Sequence, residues 1–470
     1  MYILIDKKMP GPIYKHIYEQ IKSLILSRHL KAHTKLPSKR DLAKTLDVSL
    51  NTVINAFEQL LAEGYLYSIE RQGYFVEGIP EYEFTHIKAT KTIPENLREK
   101  LEDRTGWISL SHMSANTENF PFKLWQKCQG EVIEKYGDEL SNMPHPQGPY
   151  LLRETIADLI RSTRGVVCAP EQIIIHSSSH ILLEQFLVLQ NSESSRFAME
   201  NPGYARYYNL FQQYRFDVQL LPVDGHGVKI DKIDEKCNFL LITPSHQFPT
   251  GVIMPISRRI ECLNWALARE DRYIIEDDYD SEFKYKTDII PSLHSFNFNE
   301  KVIYMGTFSK TMFPGLRISY MVLPVKLLEK YRSHFHGLIQ SSNALATYTL
   351  HKFIQDGHYL RHVKKMNNHY EMIREKLIDQ LTSHFNDQVH VSSVPAGLHF
   401  LAYFKTKLSY EAIEEKAKQL KLEVYTLRRF TLSPINETQN DVKGILIGFA
   451  NIREQELVEA ILRLKQCLSL

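Results

Sequence analysis

Lys301–Lys310, with the sequence KVIYMGTFSK, is the stretch from which the fold of this chain is best predicted. Its first half is a run of apolar, partly β-branched residues, which is typical of a buried strand. The run stops at Gly306 and is followed by Thr307, Lys310 and, seven residues later, Arg317. Such a lysine can link to a carbonyl compound while a hydroxyl and an arginine bind a phosphate group, which favours a pyridoxal phosphate site. Taken alone, a Ser-Lys pair after a strand is more simply explained as a solvated turn.

Length and composition indicate a globular protein with more than one domain. A chain of 470 residues exceeds the usual size of a single domain, and 43% hydrophobic with 24% charged residues is ordinary for a folded chain. No apolar run of about 18 residues occurs, and the early charges at Asp6, Lys7 and Lys8 do not fit a signal peptide. We therefore expect a cytoplasmic protein without a membrane partner. The five cysteines form no Cys-x-x-Cys pair, which predicts reduced, mostly buried thiols and no structural metal.

The first 80 residues have the pattern of a winged helix-turn-helix domain, which is an α+β fold. Apolar residues recur at helical spacing after Pro12, a second short helix is expected to open near Ser38, and Ser49 is a suitable N-cap for a third helix. Two short β-runs follow at 66–69 and 74–76. In this fold the third helix enters the major groove of DNA, whereas the second helix and the wing contact the backbone.

Basic residues are concentrated in this first part of the chain. Residues 1–80 hold 11 lysines and arginines against 8 acidic residues, whereas the other 390 residues hold 46 against 47. Six of these bases lie between Arg28 and Lys44, where only Asp41 opposes them. Most clusters of this kind are solvated faces, but beside a DNA-binding fold this one favours contact with phosphates.

Five sequence blocks resemble the GntR-type regulator domain along its whole length. They are Pro12–Tyr14, Lys35–Ala43, Val48–Val53, Glu63–Leu66 and Gly73–Val76. Two residues depart from the family pattern, since Leu50 stands where the family often has a basic residue and His33 where it often has glycine. Double-stranded operator DNA is therefore the expected partner. Contacts to it are expected from Lys39, Arg40, Ser49, Asn51, Thr52, Asn55 and Gly73.

A connector separates this domain from the rest of the chain. Residues 79–105 contain prolines, threonines and mixed charges with little periodicity, which predicts a mobile linker. We therefore expect a DNA-binding domain at 1–78, a linker at 79–105 and a second domain at 106–470. Within the second domain, a smaller subdomain is expected mainly at 325–470.

The second domain has the pattern of an α/β fold. Short apolar runs alternate with helical stretches such as 181–189 and 258–268. The runs predicted as buried strands are Ile173–Ile175, Phe239–Ile242, Tyr273–Ile275 and Val302–Met305. Alternation of this kind predicts a largely parallel sheet whose ligand lies at the carboxyl ends of the strands.

Three of these strand ends carry informative residues. The segment His176–His180 places small hydroxyl residues before a helix, where backbone amides can bind an anion, although serine is also a common N-cap. The acidic segment Glu276–Asp280 requires a cationic partner. A metal would serve, but no histidine is close in sequence, so a protonated pyridine nitrogen explains the segment better. Tyr204, on a turn, could stack on the same ring or pack on the surface.

The order and spacing of these pieces resemble the fold type I pyridoxal phosphate proteins, the aspartate aminotransferase group. From about Trp107 to the end, the chain resembles the regulators of the MocR/GabR family. The matching segments are Gln147–Arg153, Arg164–Val166, Glu200–Tyr204, Thr243–Gly251, Glu276–Phe283 and Gly306–Arg317. This resemblance implies an aminotransferase-like α/β domain with a smaller C-terminal α+β subdomain that closes over the site.

The resemblance also implies roles for eight residues toward pyridoxal 5'-phosphate. Lys310 would form the Schiff base, Asp277 would meet the pyridine nitrogen, and Tyr279 would meet the phenolic oxygen. Tyr204 would stack on the ring. Phosphate contacts are implied for Ser178, Ser179, Thr307 and Arg317. The family usually has glycine and glutamine where this chain has Ser178 and His180, so the grip on the phosphate is expected to differ.

A carboxylate on an effector would be recognised by an arginine, whose planar fork pairs with both oxygens. Arg428 is the first candidate, Arg429 is its neighbour, and Arg206 could meet a second polar group. We expect a pyridoxal phosphate-dependent transcription regulator that senses an amine, an amino acid or the cofactor itself, and that forms a head-to-tail homodimer. Its second domain is expected to perform only amine exchange or a half-reaction. A working aminotransferase and a regulator that has lost its cofactor stay as alternatives.

Overall fold

The structure, a computed structural model, describes residues 3, 11–80, 93–99, 103–113, 117–285, 290–296, 300–392, 396–434 and 441–469. The chain divides into two compact units, Met1–Leu101 and Glu102–Leu470. Most of the predicted linker, at 81–92 and 100–102, lies outside the described residues. All five cysteines are buried and free of disulfides, as predicted. In the described parts of the chain, no helix is both long enough and apolar enough to cross a lipid bilayer.

The first unit contains three helices and an antiparallel hairpin, which confirms the winged helix-turn-helix. The helices are α1 (Ile13–Leu26), α2 (Lys39–Leu46) and α3 (Leu50–Ala62), and the strands are β1 (Leu66–Ile69) and β2 (Gly73–Val76). Ser49 caps α3 as predicted, because its Oγ accepts a hydrogen bond from the Thr52 amide, and Ser38 caps α2 in the same way. Buried side chains of α1 and α3 form the centre of the core: Ile17, Ile21, Ile25, Val53, Phe57 and Leu60.

His33, which departs from the family pattern, occupies an unusual backbone position. Its φ of 62° lies in the left-handed region, where glycine is the residue with the least steric cost. The imidazole Nδ1 lies 3.0 Å from the hydroxyl of Tyr67 on β1. This contact ties the loop between α1 and α2 to the wing.

The second unit is built on an eight-stranded sheet. Its strands are β4 (Ile173–His176), β5 (Arg196–Asn201), β6 (Asp217–Asp224), β7 (Gly227–Val228), β8 (Phe239–Ile242), β9 (Tyr273–Asp278), β10 (Val302–Thr307) and β11 (Ser319–Val322). Their order in the sheet is β4-β11-β10-β9-β8-β5-β6-β7. Strands β10, β9, β8, β5 and β6 are parallel, whereas β11 is antiparallel to both of its neighbours. All four predicted strands are present, and the largely parallel sheet is confirmed.

Helices cover both faces of this sheet. They are α4 (Phe122–Leu140), α5 (Tyr150–Arg164), α6 (Ser179–Val188), α7 (Ala205–Gln213), α8 (Ile256–Leu267), α9 (Val325–Phe335) and α10 (Ala344–Gln355). In β4, Ile174 packs in a core with Leu183 of α6, whereas the next residue, Ile175, packs in a second core with Ile156 of α5. The strand is apolar at every position because both of its faces are buried.

A smaller subdomain follows the sheet. Its elements are α11 (His358–Phe385), β12 (Val389–Val391), β13 (His399–Lys405), α12 (Tyr410–Gln419), β14 (Leu422–Glu423), β15 (Tyr425–Thr426), β16 (Val442–Gly448) and α13 (Leu457–Leu468). An antiparallel sheet has the order β12-β13-β16-β15. A distant segment, β3 (Ile108–Ser109), pairs in parallel with β14. Ile108 and Leu110 therefore belong to the core of this subdomain, although the predicted range begins at 325.

The sheet brings three strand ends together. Asp278 at the end of β9 pairs with Gly306 in β10, and Thr307 at the end of β10 pairs with Ser319 in β11. Ser319 is also the register partner of His176, which ends β4. The predicted site residues that follow these strands therefore meet at one edge of the sheet.

Candidate functional site

A cavity of about 560 Å³ lies at this edge, and all eight predicted cofactor residues line it. They are Ser178, Ser179, Tyr204, Asp277, Tyr279, Thr307, Lys310 and Arg317. Arg206 lines the same cavity, as does His180, which with Ser178 departs from the family pattern in the second domain. The volume is within the range that holds a small cofactor or ligand.

Lys310 supplies a reactive amine to this cavity. Its Nζ donates a hydrogen bond of 2.6 Å to the backbone oxygen of His112. Burial lowers the pKa of Lys310 from 10.5 to about 8, because removal from water disfavours the charged form. A neutral amine is the nucleophilic form of lysine, so this residue can attack a carbonyl group near neutral pH.

Asp277 is the member of the acidic segment that faces the cavity. It lies in β9 with 8% of its surface exposed, and Tyr207 makes a side-chain hydrogen bond to it. Burial raises the pKa of Asp277 to about 7. A carboxylate in this setting favours a cationic partner, since an opposite charge would restore its ionised form.

The other acidic residues of this segment are paired within the protein. Glu276 accepts hydrogen bonds from the amides of Leu293 and His294. Asp278 forms a buried ion pair of 2.7 Å with Arg164. Asp280 lies 3.0 Å from Nδ1 of a buried histidine, His246, and accepts a hydrogen bond from the Leu398 amide. Four carboxylates thus crowd one strand end, and three of them have structural partners.

A second group of residues that line the cavity is suited to an anion. Ser178 caps α6, where its Oγ accepts a hydrogen bond of 3.3 Å from the Ile181 amide. The first amides of a helix lack intrahelical partners, and the helix dipole is positive at this end. The cavity at this helix end is also lined by Ser178, Ser179 and Arg317. Arg317 has a φ of 53°, a costly conformation for a residue with a side chain, and such strain is common at binding sites.

Two hydroxyl groups of the quoted stretch complete this anion-binding part. Thr307 Oγ1 accepts hydrogen bonds from the Ser309 amide at 3.2 Å and from Ser319 Oγ at 2.8 Å. The Oγ of Ser309 is buried and has no hydrogen-bond partner among the described residues. A buried hydroxyl without a partner is costly, so its position on the cavity wall is consistent with a polar ligand there.

Aromatic rings form the remaining wall. Tyr204 lies 4.9 Å from Tyr207 and 5.6 Å from Phe248 between ring centroids. The hydroxyl of Tyr279 donates a hydrogen bond of 3.0 Å to the backbone oxygen of His246. His112 lies 5.0 Å from Phe248, and burial lowers its pKa to about 3, so the imidazole is neutral.

The three predicted effector arginines have different surroundings. Arg206 lines the cavity, and its Nη2 lies 3.8 Å from the sulfur of Met113. Arg429 stacks on Tyr425 at 4.5 Å, and its charge, like that of Arg206, helps to lower the pKa of His112. Arg428 forms an ion pair of 2.8 Å with Glu411, and neither Arg428 nor Arg429 lines the cavity.

The predicted DNA-contacting residues lie on α2, α3 and the wing of the first unit. Arg40, Asn51 and Asn55 are exposed. Lys39 is half-buried, with its ammonium group 4.7 Å above the ring of Tyr74. The remaining three have local roles as well: Ser49 and Thr52 form the cap of α3, and Gly73 has a φ of 112° at the start of β2.

Sequence reasoning missed several residues of the cavity wall. Tyr207 lies in the first turn of α7, three positions after Tyr204, which is the N-cap of that helix, and this closeness in sequence could have pointed to it. Ser309 lies inside the stretch that predicts the site, so its hydroxyl could have been included. Phe248 lies in the matching segment Thr243–Gly251 and could also have been included. His112 carries no local signal, because it reaches the cavity only through the tertiary fold.

Comparisons with known proteins agree with both units. The family of bacterial regulatory proteins called gntR matches residues 13–76, and aminotransferase class I and II matches residues 113–421. The uncharacterized HTH-type transcriptional regulator YdeL of Bacillus subtilis is 34% identical over 98% of each chain. The probable rhizopine catabolism regulatory protein MocR of Rhizobium meliloti is 29% identical, over 98% of this chain and 94% of its own.

Solved structures with a similar fold include several aminotransferases. Kynurenine aminotransferase of Pyrococcus horikoshii has a TM-score of 0.69 at 21% identity, covering 77% of this chain and 91% of its own. This likeness concerns the fold of the second unit, and the aminotransferase class I and II family depends on pyridoxal phosphate. The chain therefore belongs to the MocR-type HTH transcriptional regulators, in which a gntR-family DNA-binding domain is joined to an aminotransferase class I and II domain.

Proposed function

We propose that this transcription regulator binds pyridoxal 5'-phosphate in the cavity around Lys310 and responds to an amine, an amino acid or the cofactor itself. One observation carries the proposal. A buried lysine with a lowered pKa, a buried carboxylate with a raised pKa and a helix N-terminus line one cavity of suitable volume. The lysine amine suits an aldehyde, the carboxylate suits a pyridine nitrogen, and the helix N-terminus suits a phosphate.

The residues of the cavity fit the cofactor part by part. Ser178, Ser179, Thr307 and Arg317 would hold the phosphate, and the buried unpartnered hydroxyl of Ser309 adds a donor that the sequence did not predict. Asp277 would pair with the ring nitrogen, Tyr279 with the phenolic oxygen, and Tyr204 with the ring face. When bound, the cofactor supplies an aldehyde that links reversibly to a primary amine.

Lys310 would act as the residue that an effector displaces. Its neutral amine would form the covalent link to the cofactor, and an incoming primary amine would take its place at the same carbon, which would free the lysine. His112 O, which accepts a hydrogen bond from Lys310, would then hold the released ammonium group. A ligand shifts a regulator only through different affinities for its two states, and this exchange offers such a difference.

An effector that bears a carboxylate would be recognised by arginine. We place Arg206 first, because it lines the cavity, and Arg429 second, because its charge acts on His112 at the cavity wall. The side chain of Arg428 is engaged by Glu411. A weakened response after Arg206→Gln or Arg429→Gln, with Arg428→Gln unchanged, would support this order.

We also propose that the chain works as a homodimer, so that two DNA-binding domains read repeated half-sites. Light scattering of the full chain tests this point. The alternative function, a working aminotransferase, has support from the same set of residues. Repeated turnover of an amino acid with a keto acid acceptor would favour that alternative over a role restricted to regulation.

The decisive experiment replaces the lysine. Lys310→Ala should abolish the visible absorbance that the protein-linked cofactor gives, because no other predicted residue can form that bond. Lys330→Ala, which removes an exposed lysine on α9, is the control and should keep the absorbance. Absorbance that survives Lys310→Ala would contradict the assignment, and wild-type protein that never acquires absorbance would favour a regulator without the cofactor.

A further inference from the structure

Leu50 is an exposed apolar residue at the start of the DNA-recognition helix. It is the first residue of α3, directly after the Ser49 cap, and 39% of its surface is exposed. The other large apolar side chains of α3, all of them described, point into the core or are partly buried. A single exposed leucine is ordinary on a protein surface, so exposure alone does not indicate a role in binding. Such a role is indicated by the location of Leu50 in the domain.

Leu50 lies in the part of the recognition helix that contacts base edges in this class of domain. In helix-turn-helix domains, the N-terminal residues of the recognition helix contact bases in the major groove. The first turn of α3 carries no charged side chain, since its residues are Leu50, Asn51, Thr52 and Val53. Val53 is fully buried, and the hydroxyl of Thr52 lies 2.8 Å from Ser49 Oγ within the cap. Leu50 and Asn51 are therefore the most exposed side chains of this turn.

The chemistry of these two side chains limits what they can read. A leucine cannot hydrogen-bond to guanine or cytosine, and the apolar feature that B-DNA presents in the major groove is the C5-methyl group of thymine. An asparagine amide matches the donor and acceptor of adenine. Backbone attraction is supplied separately by basic residues such as the exposed Arg40.

We infer that Leu50 is a specificity-determining residue that packs on a thymine methyl group, so that each operator half-site has an A·T pair at this position. The inference rests on the DNA-binding function and adds the class of base that is read. Removal of one buried methyl group is expected to weaken binding about fourfold for each half-site.

The test removes only the C5-methyl group of thymine and leaves the base pairing unchanged. Duplexes that bind the full-length protein would be selected from a randomised library, and each thymine of the enriched half-site would then be replaced by deoxyuridine. One replacement should weaken wild-type binding about fourfold, measured by fluorescence anisotropy at fixed salt. Leu50→Ala should bind the thymine and deoxyuridine duplexes equally.

The control is Ile13→Ala, which removes a similarly exposed apolar residue at the first position of α1. It should keep the full difference between thymine and deoxyuridine. If wild-type binding is indifferent to every replacement, or if Leu50→Ala keeps the difference, the role of Leu50 is overturned while DNA binding stands. If the wild-type protein enriches no duplex, DNA reading itself fails. Unchanged thermal unfolding of both variants would show that they are folded.

Discussion

At the scale of single residues, the cavity holds two groups whose pKa values burial moves toward each other. Lys310 has a pKa lowered to about 8, and Asp277 has a pKa raised to about 7. Both shifts make the residues easier to neutralise, which is the expected state of a site built to receive a charged ligand. Each shift leads to a measurable consequence.

The first consequence is a pH dependence of cofactor uptake. Only the neutral amine of Lys310 reacts, so the rate of covalent uptake should rise about tenfold per pH unit below pH 8 and level off above it. Stopped-flow absorbance between pH 7 and 10 measures this rate. Asp277→Asn is the control, because it removes the neighbouring group that titrates near pH 7. A rate that still rises at pH 10 would mean that burial does not lower the lysine pKa.

The second consequence concerns the stability of the cofactor-free protein. The pKa of Asp277 is raised in the folded state, so its contribution to stability falls as pH rises from about 4 to 7. At pH 8, Asp277→Asn should therefore raise the free energy of unfolding, by about 1–3 kcal/mol, while weakening cofactor binding at least about tenfold. Urea unfolding and an absorbance titration measure the two effects.

Asp278→Asn is the contrasting variant for this prediction. It breaks a buried ion pair with Arg164, so it should lower the free energy of unfolding by about 3–5 kcal/mol. If both variants destabilise the protein alike, Asp277 has a structural role and its proposed function is wrong.

At the scale of elements, the N-terminus of α6 combines a structural and a binding role. Ser178 and Ser409 are matched caps, since each Oγ accepts one amide hydrogen bond, from Ile181 at 3.3 Å and from Ala412 at 3.2 Å. Replacing either serine by alanine should cost about 1 kcal/mol of stability. Only Ser178→Ala should also weaken cofactor binding, because Ser409 lies outside the cavity. Equal cofactor affinity in both variants, by absorbance titration, would remove Ser178 from the phosphate site.

The strands also show how much of the fold could be predicted from the sequence. Strands β4, β8, β9 and β10 were predictable because they are buried on both faces and read as continuous apolar runs. Strand β6 was not predicted, since it has exposed and half-buried positions near the edge of the sheet. The pairing of β3 with β14 joins segments more than 300 residues apart, and no local pattern reports such a contact.

The site was predictable for a related reason. Residues that follow buried strands of a parallel sheet must converge, so the strand ends led to Thr307, Lys310 and the acidic segment Glu276–Asp280. The family resemblance then singled out Asp277 within that segment. His112 approaches through a loop whose path depends on tertiary packing, and the sequence carries no signal for it. The ion pair of Arg428 with Glu411 likewise appears only in the folded chain.

At the scale of the whole molecule, regulation requires that binding in the second unit and DNA binding by the first unit are coupled. Coupling of binding equilibria is reciprocal, so if pyridoxal phosphate or an amine changes operator affinity by some factor, the operator must change the affinity for that ligand by the same factor. Typical couplings are about 5- to 150-fold. We therefore expect equal factors from two titrations, one of labelled operator with and without ligand, the other of ligand with and without operator.

Lys310→Ala tests whether the covalent bond to the cofactor is needed for this coupling. If the coupling depends on the covalent bond, the variant should still bind the operator, but the cofactor should change its operator affinity much less. The coupling factors from both titrations should then fall toward one. Lys330→Ala should keep both factors. Equal, undiminished coupling in Lys310→Ala would show that occupancy of the cavity is sufficient and that the bond is not the switch. A wild-type factor of one in both titrations would leave DNA binding intact but contradict regulation through this cavity.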